Sequence, residues 1–296
     1  MTRDSLRGHL RTNQSLSDYT TWRVGGQARS MYQPLNIADL SAFLQRMLPS
    51  EPVLWLGLGS NSLIKDAGFS GTVILTQGGL DGLELLDPST VRVEAGVSCA
   101  QMARFCTRNS LVGGEFWAGI PGTMGGALRM NAGCCTQETW KHVVSVETMN
   151  RQGIVKTRAA DDFVWSYRHV EGLAIDEWFI SATFHLVLGD KETSFQHMKS
   201  LLARRAATQP TGEFNCGSVF RNPENNFAAV LIESCGLKGY SLGGAMVSEK
   251  HANFIINHLG TASAMDIECL IQHVQQVVAE QTGINLVREV HIIGDA

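Results

Sequence analysis

Residues 117–133 read WAGIPGTMGGALRMNAG, five glycines and one proline within seventeen residues, set between hydrophobic segments. Ile120-Pro121-Gly122-Thr123 forces an extended residue before the proline and allows a left-handed one after it. Gly125 and Gly126 let something flat or anionic lie directly against the main chain, while Thr123, Arg129 and Asn131 offer polar contacts. A second glycine turn, LWLGLGSNSLI at 54–64, closes an apolar strand. A dinucleotide fingerprint would want a third glycine at position 62, where Ser62 stands, and no Gly-Lys-Ser/Thr follows to make a phosphate loop. What remains, Gly57-x-Gly59-Ser60-Asn61-Ser62, is either a tight structural turn or a cradle whose amides and small hydroxyls hold phosphate oxygens. Two such loops suit a dinucleotide with two phosphates; close packing of elements through glycine is the competing explanation.

The composition narrows the classes. With 296 residues the chain has room for two or three domains, and 44% hydrophobic against 18% charged residues fits a globular protein rather than a disordered one. A net charge of -4 leaves no global field for nucleic acid or anionic lipid. The seven cysteines lack metal-finger spacing, and the adjacent Cys134 and Cys135 are poorly placed as two ligands of one tetrahedral metal, so no metal is expected. The opening MTRDSLRGHLRTNQSLSDY lacks the apolar run of a signal peptide, and no run reaches the length of a membrane span. The expectation is a cytoplasmic protein with free thiols and no membrane insertion.

Along the chain, Thr20–Pro34 reads as a turn feeding a short strand and Ile37–Leu48 as a helix. Strands are expected at Thr72–Thr76, Thr90–Gly96 and His142–Asn150, with a short helix at Cys99–Ser110. The order is α+β and too irregular for eight strand-helix repeats. At Lys191–Pro210 the composition turns polar and helical, which places a domain boundary near 190: a first domain 1–190, in subdomains of about 1–78 and 79–190, then 191–296. Ser263–Gly283 is the clearest helix, with apolar residues every three or four positions, a Ser263/Asp266 capping box and a glycine stop. Ile284–Ile293 alternates as a strand, with Val287, Glu289 and His291 on one face. On pattern alone Glu289 is a solvated strand carboxylate.

Taken together, TTWRVGGQA, GLGSNSLIKDAGFSGTVI, AGIPGTMGGALRMNAG, SYR at 166–168, NCGSVFRNP at 215–223, LIESCGLKG, GGAMVSEKHANFIIN and the terminal REVHIIG resemble the UDP-N-acetylenolpyruvoylglucosamine reductases, over essentially the whole chain. The resemblance implies an FAD-binding fold of the vanillyl-alcohol-oxidase type, two α/β subdomains with flavin between them, and a C-terminal α/β domain over the substrate. It implies NADPH-dependent reduction of a UDP-sugar enolpyruvyl ether in peptidoglycan precursor synthesis, by a monomer. The spacing after Tyr167-Arg168 leaves no room for the extra loop of one branch, so the chain looks like the shorter one. An oxidase of the same superfamily would anchor FAD covalently through histidine or cysteine, and these loops show no convincing attachment residue.

Residue by residue, the resemblance assigns FAD contacts to Gly57, Gly59, Ser60, Asn61, Ser62, Pro121, Gly122, Thr123, Gly125, Gly126 and Asn131. It gives proton donation to Ser218, support of that step to Glu289, and stabilisation of the substrate carboxylate and developing enolate to Arg168. Tyr167, Arg221, Asn222 and Lys250 fall at substrate positions, Arg221 and Lys250 as candidates for the UDP phosphates. A serine hydroxyl is a poor acid in water, so its neighbours must polarise it in a shielded site. Arginine suits a carboxylate because its fork is rigid and permanently charged. Cys134-Cys135-Thr136 stands where the family often has a small residue, an aromatic and glycine, and Asn226-Phe227-Ala228 departs from the usual small-residue approach to LIESCGLKG.

Overall fold

The computed structural model describes residues 6–295. Residues 1–5, where the first expected domain and the polar N-terminal stretch begin, and residue 296 lie outside the described residues. The described residues divide into two compact units, one of residues 6–12, 30–57 and 71–203, the other of residues 13–29, 58–70 and 204–295.

The first unit is built on a five-stranded antiparallel sheet in the order Val155–Ala159, Val143–Asn150, Glu177–His185, Thr90–Glu94, Leu83–Asp87. In Thr90–Glu94 the alternation works as written: Val91 and Val93 are fully buried, while Arg92 on the other face bonds Glu147 at 2.6 Å. A four-stranded sheet, ordered His9–Ser15, Gln27–Gln33, Phe69–Leu75, Val53–Leu56, has most of its residues in this unit. Helix α1 (Ile37–Leu44) is capped by the Asn36 side chain and stops short of the predicted Leu48. There the amides of Arg46 and Met47 turn back to carbonyls three residues earlier, a tightened last turn that ends the helix. Its buried face brings Phe43 flat onto Tyr32, with ring centroids 3.7 Å apart. Helix α2 (Cys99–Arg108) starts in a reciprocal Ser98–Gln101 capping box. The short α3 (Met124–Arg129) opens on Thr123, and α4 (Lys191–Thr208) follows the last strands of the unit.

In the second unit, α5 (Ala228–Ser234) and α6 (Ala264–Thr282) share a core with a four-stranded antiparallel sheet ordered Phe214–Asn215, Ile255–Asn257, Ala245–Val247, Ser241–Leu242. Ile267, Leu270, Ile271, Val274 and Val278 form the buried stripe of α6, Ser263 and Asp266 close the capping box, and Gly283 ends the helix at φ 72°. The Asp66 carboxylate accepts from the amides of Ala264 and Met265 at 3.0 and 2.9 Å, a second cap brought from far along the chain. Trp22 is clamped at both polar ends: its Nε1 donates to the Ile255 carbonyl at 2.7 Å, and its carbonyl accepts from Asn257 Nδ2 at 2.9 Å. The strand predicted over Ile284–Ile293 is a strand only at His291–Ile293, paired in parallel with Ser62–Ile64. No described helix is long and apolar enough to cross a membrane, and no group of three metal-ligating side chains occurs among the described residues.

Candidate functional site

The loop quoted at the outset belongs to the first unit. Thr123 Oγ1 accepts from the Gly126 amide at 3.4 Å, and the Gly125 amide donates to the Ala95 carbonyl at 2.9 Å, so the chain enters α3 pressed against the end of the Thr90–Glu94 strand. A methyl on Gly125 would lie 2.8 Å from Ala95 Cβ, and one on Gly57 would lie 2.4 Å from Thr123 Oγ1. Those two glycines are required by packing within the protein itself. Gly126 is different: a Cβ there would meet only Thr123 Oγ1, at 3.8 Å, on an exposed residue. Although its amide and carbonyl are taken by Thr123 and Met130, the space over Gly126 is open, and with exposed Pro121 in the same loop it has room for a flat group such as a cofactor.

Asn131 is completely buried with φ 44°; its Nδ2 donates to the Ser166 carbonyl at 3.0 Å and its Oδ1 accepts from the Trp140 amide at 3.1 Å. It thereby anchors the turn end of the Val164–Ser166/His169–Glu171 hairpin, whose two-residue tip is Tyr167-Arg168. Arg168 sits at φ 55°, a left-handed conformation that favours glycine, so a long cationic side chain is held at a strained tip. Its Nη2 donates to the Gly133 carbonyl at 3.0 Å and Nη1 to the Asn131 carbonyl at 3.5 Å, with the guanidinium carbon 5.1 Å from the Tyr167 ring centroid. Two main-chain carbonyls thus help to aim the cation.

In the second unit the GLGSNS loop has its own structural duties. Gly59 lies at φ 58°, and a Cβ there would sit 2.2 Å from the Tyr19 carbonyl oxygen. Asn61 Nδ2 donates to the Glu289 carbonyl at 3.1 Å, and the Asn61 carbonyl accepts from the His291 amide at 3.1 Å. Ser60 and Ser62 are half-buried beside it.

Around Ser218 the backbone is held from two directions. The Val219 amide donates to the Asn253 carbonyl at 2.9 Å, and the Asn253 side chain grips Phe220, accepting from its amide at 3.0 Å and donating to its carbonyl at 2.8 Å. On the opposite side the amides of Glu289 and Val290 both reach the Val219 carbonyl, at 2.8 and 3.4 Å, and the Arg221 amide reaches the Val287 carbonyl at 2.9 Å. Two residues facing one make a bulge, which breaks the predicted alternation. Val287 and His291 are exposed, while Glu289 and Val290 are buried, Glu289 only 9% exposed. The solvated carboxylate read from the pattern is therefore a buried one, its main chain one residue across from half-buried Ser218. Burial pushes the Cys216 thiol well up, and the neighbouring Glu289 carboxylate adds to it, so Cys216 stays protonated.

The remaining candidates are peripheral. Arg221 is half-buried, and its Nε is enclosed without a hydrogen-bond partner. Exposed Asn222 accepts from the Ala228 amide at 3.1 Å at the start of α5, and exposed Lys250 donates to the Ala206 carbonyl. Sequence patterns did not reveal the grip of Asn253 on Phe220 or of Asn61 on Glu289; a buried asparagine beside an apolar run, as in HANFIIN, is the one available signal.

Comparison with known proteins places these features. Residues 29–158 match the FAD binding domain family, and residues 209–293 match the C-terminal domain of UDP-N-acetylenolpyruvoylglucosamine reductase. A flavin-binding module joined to a reductase domain defines a flavin-dependent oxidoreductase. The chain is 67% identical over 290 residues to UDP-N-acetylenolpyruvoylglucosamine reductase of Legionella pneumophila (strain Corby), covering 98% of this chain and 94% of that one. It is 52% identical to the same enzyme of Methylococcus capsulatus, with 98% and 95% covered. The crystal structure of the reductase from Thermus caldophilus superposes with a TM-score of 0.82 at 29% identity, over 97% of this chain and 99% of that one. The chain belongs to the UDP-N-acetylenolpyruvoylglucosamine reductase family.

Proposed function

We infer that this chain reduces the enolpyruvyl ether of UDP-N-acetylglucosamine enolpyruvate to the lactyl ether of UDP-N-acetylmuramate, with NADPH as reductant. Bound FAD supplies the hydride chemistry, which no side chain can provide. The single observation that carries the residue roles is the bulged pairing of residues 287–290 with 219–221, which sets a buried carboxylate one residue across from Ser218.

Ser218 gives its proton to the carbon next to the substrate carboxylate. Glu289 polarises that hydroxyl and replenishes the proton, and its burial strengthens the interaction. Arg168, with Tyr167 beside it, binds the substrate carboxylate and opposes the negative charge that grows on it as the double bond is attacked. Arg221, whose enclosed Nε lacks a protein partner, takes a diphosphate oxygen, joined by Lys250 and Asn222. Pro121 to Gly126 and Gly57 to Ser62 are assigned to FAD, with Thr123, Gly125 and Gly57 shaping the loop and Asn131 acting from behind it. The enzyme works as a cytoplasmic monomer.

The test separates the half-reactions. Anaerobic NADPH should bleach the flavin spectrum, and UDP-N-acetylglucosamine enolpyruvate should restore it stoichiometrically. Bleaching without restoration would remove the substrate assignment, and failure to take up flavin on reconstitution would return both glycine loops to a packing role.

A further inference from the structure

Cys134 ends one strand of a small hairpin in which Gly133–Cys134 pairs with Gln137–Glu138, leaving Cys135-Thr136 as the two-residue turn. Both turn residues have positive φ, 54° and 70°. Such turns favour Asn-Gly, and a β-branched threonine there is a strained choice, which points to a constraint beyond turning the chain. The two Sγ atoms are 3.1 Å apart, closer than an ordinary sulfur contact. Cys135 is exposed and lies on the wall of a cavity of ≈ 480 Å³ with Glu115, Gln137 and His197, a size within the range of small-molecule sites. Cys99, Cys106 and Cys216, by contrast, are buried. Gly133, the residue before the pair, accepts the 3.0 Å hydrogen bond from Arg168 Nη2.

We propose that Cys134 and Cys135 form a reversible thiol site that closes to a vicinal disulfide by exchange with a low-molecular-weight disulfide and, in closing, displaces the Gly133 carbonyl that aims Arg168. The exchange balances without further reactants. The thiolate of Cys135 attacks one sulfur of oxidised glutathione and releases a first glutathione thiolate. Cys134 then displaces the second glutathione, each leaving thiolate taking up the proton its attacker lost, so two protein thiols are oxidised and one glutathione disulfide is reduced. Neighbouring Cα atoms across a trans peptide are 3.8 Å apart, below the 4.4–6.8 Å that disulfides prefer, so the closed ring is strained and readily reopened. Strained, exposed disulfides are the labile and regulatory kind. The coupling to Arg168 rests on the role proposed for that residue; the thiol chemistry does not.

The holoenzyme, treated with oxidised glutathione and then N-ethylmaleimide, should yield a peptide spanning residues 134–135 that has lost two hydrogens and carries no maleimide. Dithiothreitol should restore two alkylatable thiols. Ring closure should raise KM for the enolpyruvyl substrate about tenfold, the worth of a misdirected charge-assisted hydrogen bond, and leave bleaching by NADPH unchanged. In Cys134→Ser, Cys135 should stop at the glutathione adduct. Two thiols still open to maleimide, or a lasting adduct in the unsubstituted protein, would overturn the site. Closure with an unchanged KM would overturn its coupling to Arg168, whereas loss of bleaching in untreated enzyme would strike the proposed function instead.

Discussion

Gly59 and Gly126 look alike in the sequence, each a small residue in a loop assigned to FAD, yet their surroundings separate them. A methyl at Gly59 collides with the Tyr19 carbonyl on a backbone at positive φ; one at Gly126 makes only an ordinary contact with Thr123 Oγ1. Gly59→Ala should therefore lower stability, by about 2 kcal/mol or more, seen as a reduced melting temperature of the flavin-free protein. Gly126→Ala, within α3, should leave that melting temperature unchanged or raise it slightly, and weaken FAD uptake, measured by fluorescence titration with free flavin. Ser218→Ala should keep NADPH bleaching and slow reoxidation by substrate roughly 10²- to 10⁴-fold, the usual contribution of a positioned proton donor, in stopped-flow traces. At this scale the sequence offered residue types but not their surroundings. It could not show that Glu289 is buried, because the bulge opposite Val219 depends on a segment about seventy residues earlier in the chain.

The helices divide by how local their signals are. The Ser263/Asp266 box and Gly283 were readable because every partner lies within α6 or one residue beyond it. Asp66 was not, since its bonds to Ala264 and Met265 span 198 and 199 residues. Asp66→Ala should cost about 1 kcal/mol through loss of the added cap, and Ser263→Ala a similar amount, both in chemical denaturation. Because both caps serve the same helix end, the double variant should fall short of or exceed the sum, and a double-mutant cycle would measure the coupling. Helix α1 shows the opposite error: apolar spacing continued to Leu48, but the chain tightened after Leu44, and spacing alone does not report which amides keep helical partners.

Across the whole molecule, several titrating groups favour neutral pH. Burial holds His142 below its ordinary 6.5, with the Lys141 charge adding to the effect. Burial pushes Asp39 and Glu147 up, but the Arg7 and Leu35 amides and the Tyr32 hydroxyl more than offset it for Asp39, as do Ser181 and Arg92 for Glu147, leaving both carboxyls low. All three bind protons less readily folded than unfolded, so the stability they provide is complete at neutral pH and lost on acidification. The melting temperature should be level near pH 7–8, begin to fall as pH drops through about 6.5 as the unfolded His142 takes up a proton, and fall more steeply below about 4.5 as the unfolded carboxylates do. A His142→Phe variant should show a smaller first part of that fall, the remainder coming from His251, which burial also holds below its ordinary value.

The second unit is stitched from residues 13–29, 58–70 and 204–295, and its parallel strand pair joins Ser62–Ile64 to His291–Ile293. During synthesis on the ribosome, the loop that includes Asn61 emerges long before the Glu289 carbonyl it will hold. Until then, that strand edge and the apolar face around Leu63 have no permanent cover. A chain arrested before residue 289 therefore keeps an open strand edge at Ser62–Ile64, the kind of edge that invites pairing with another chain.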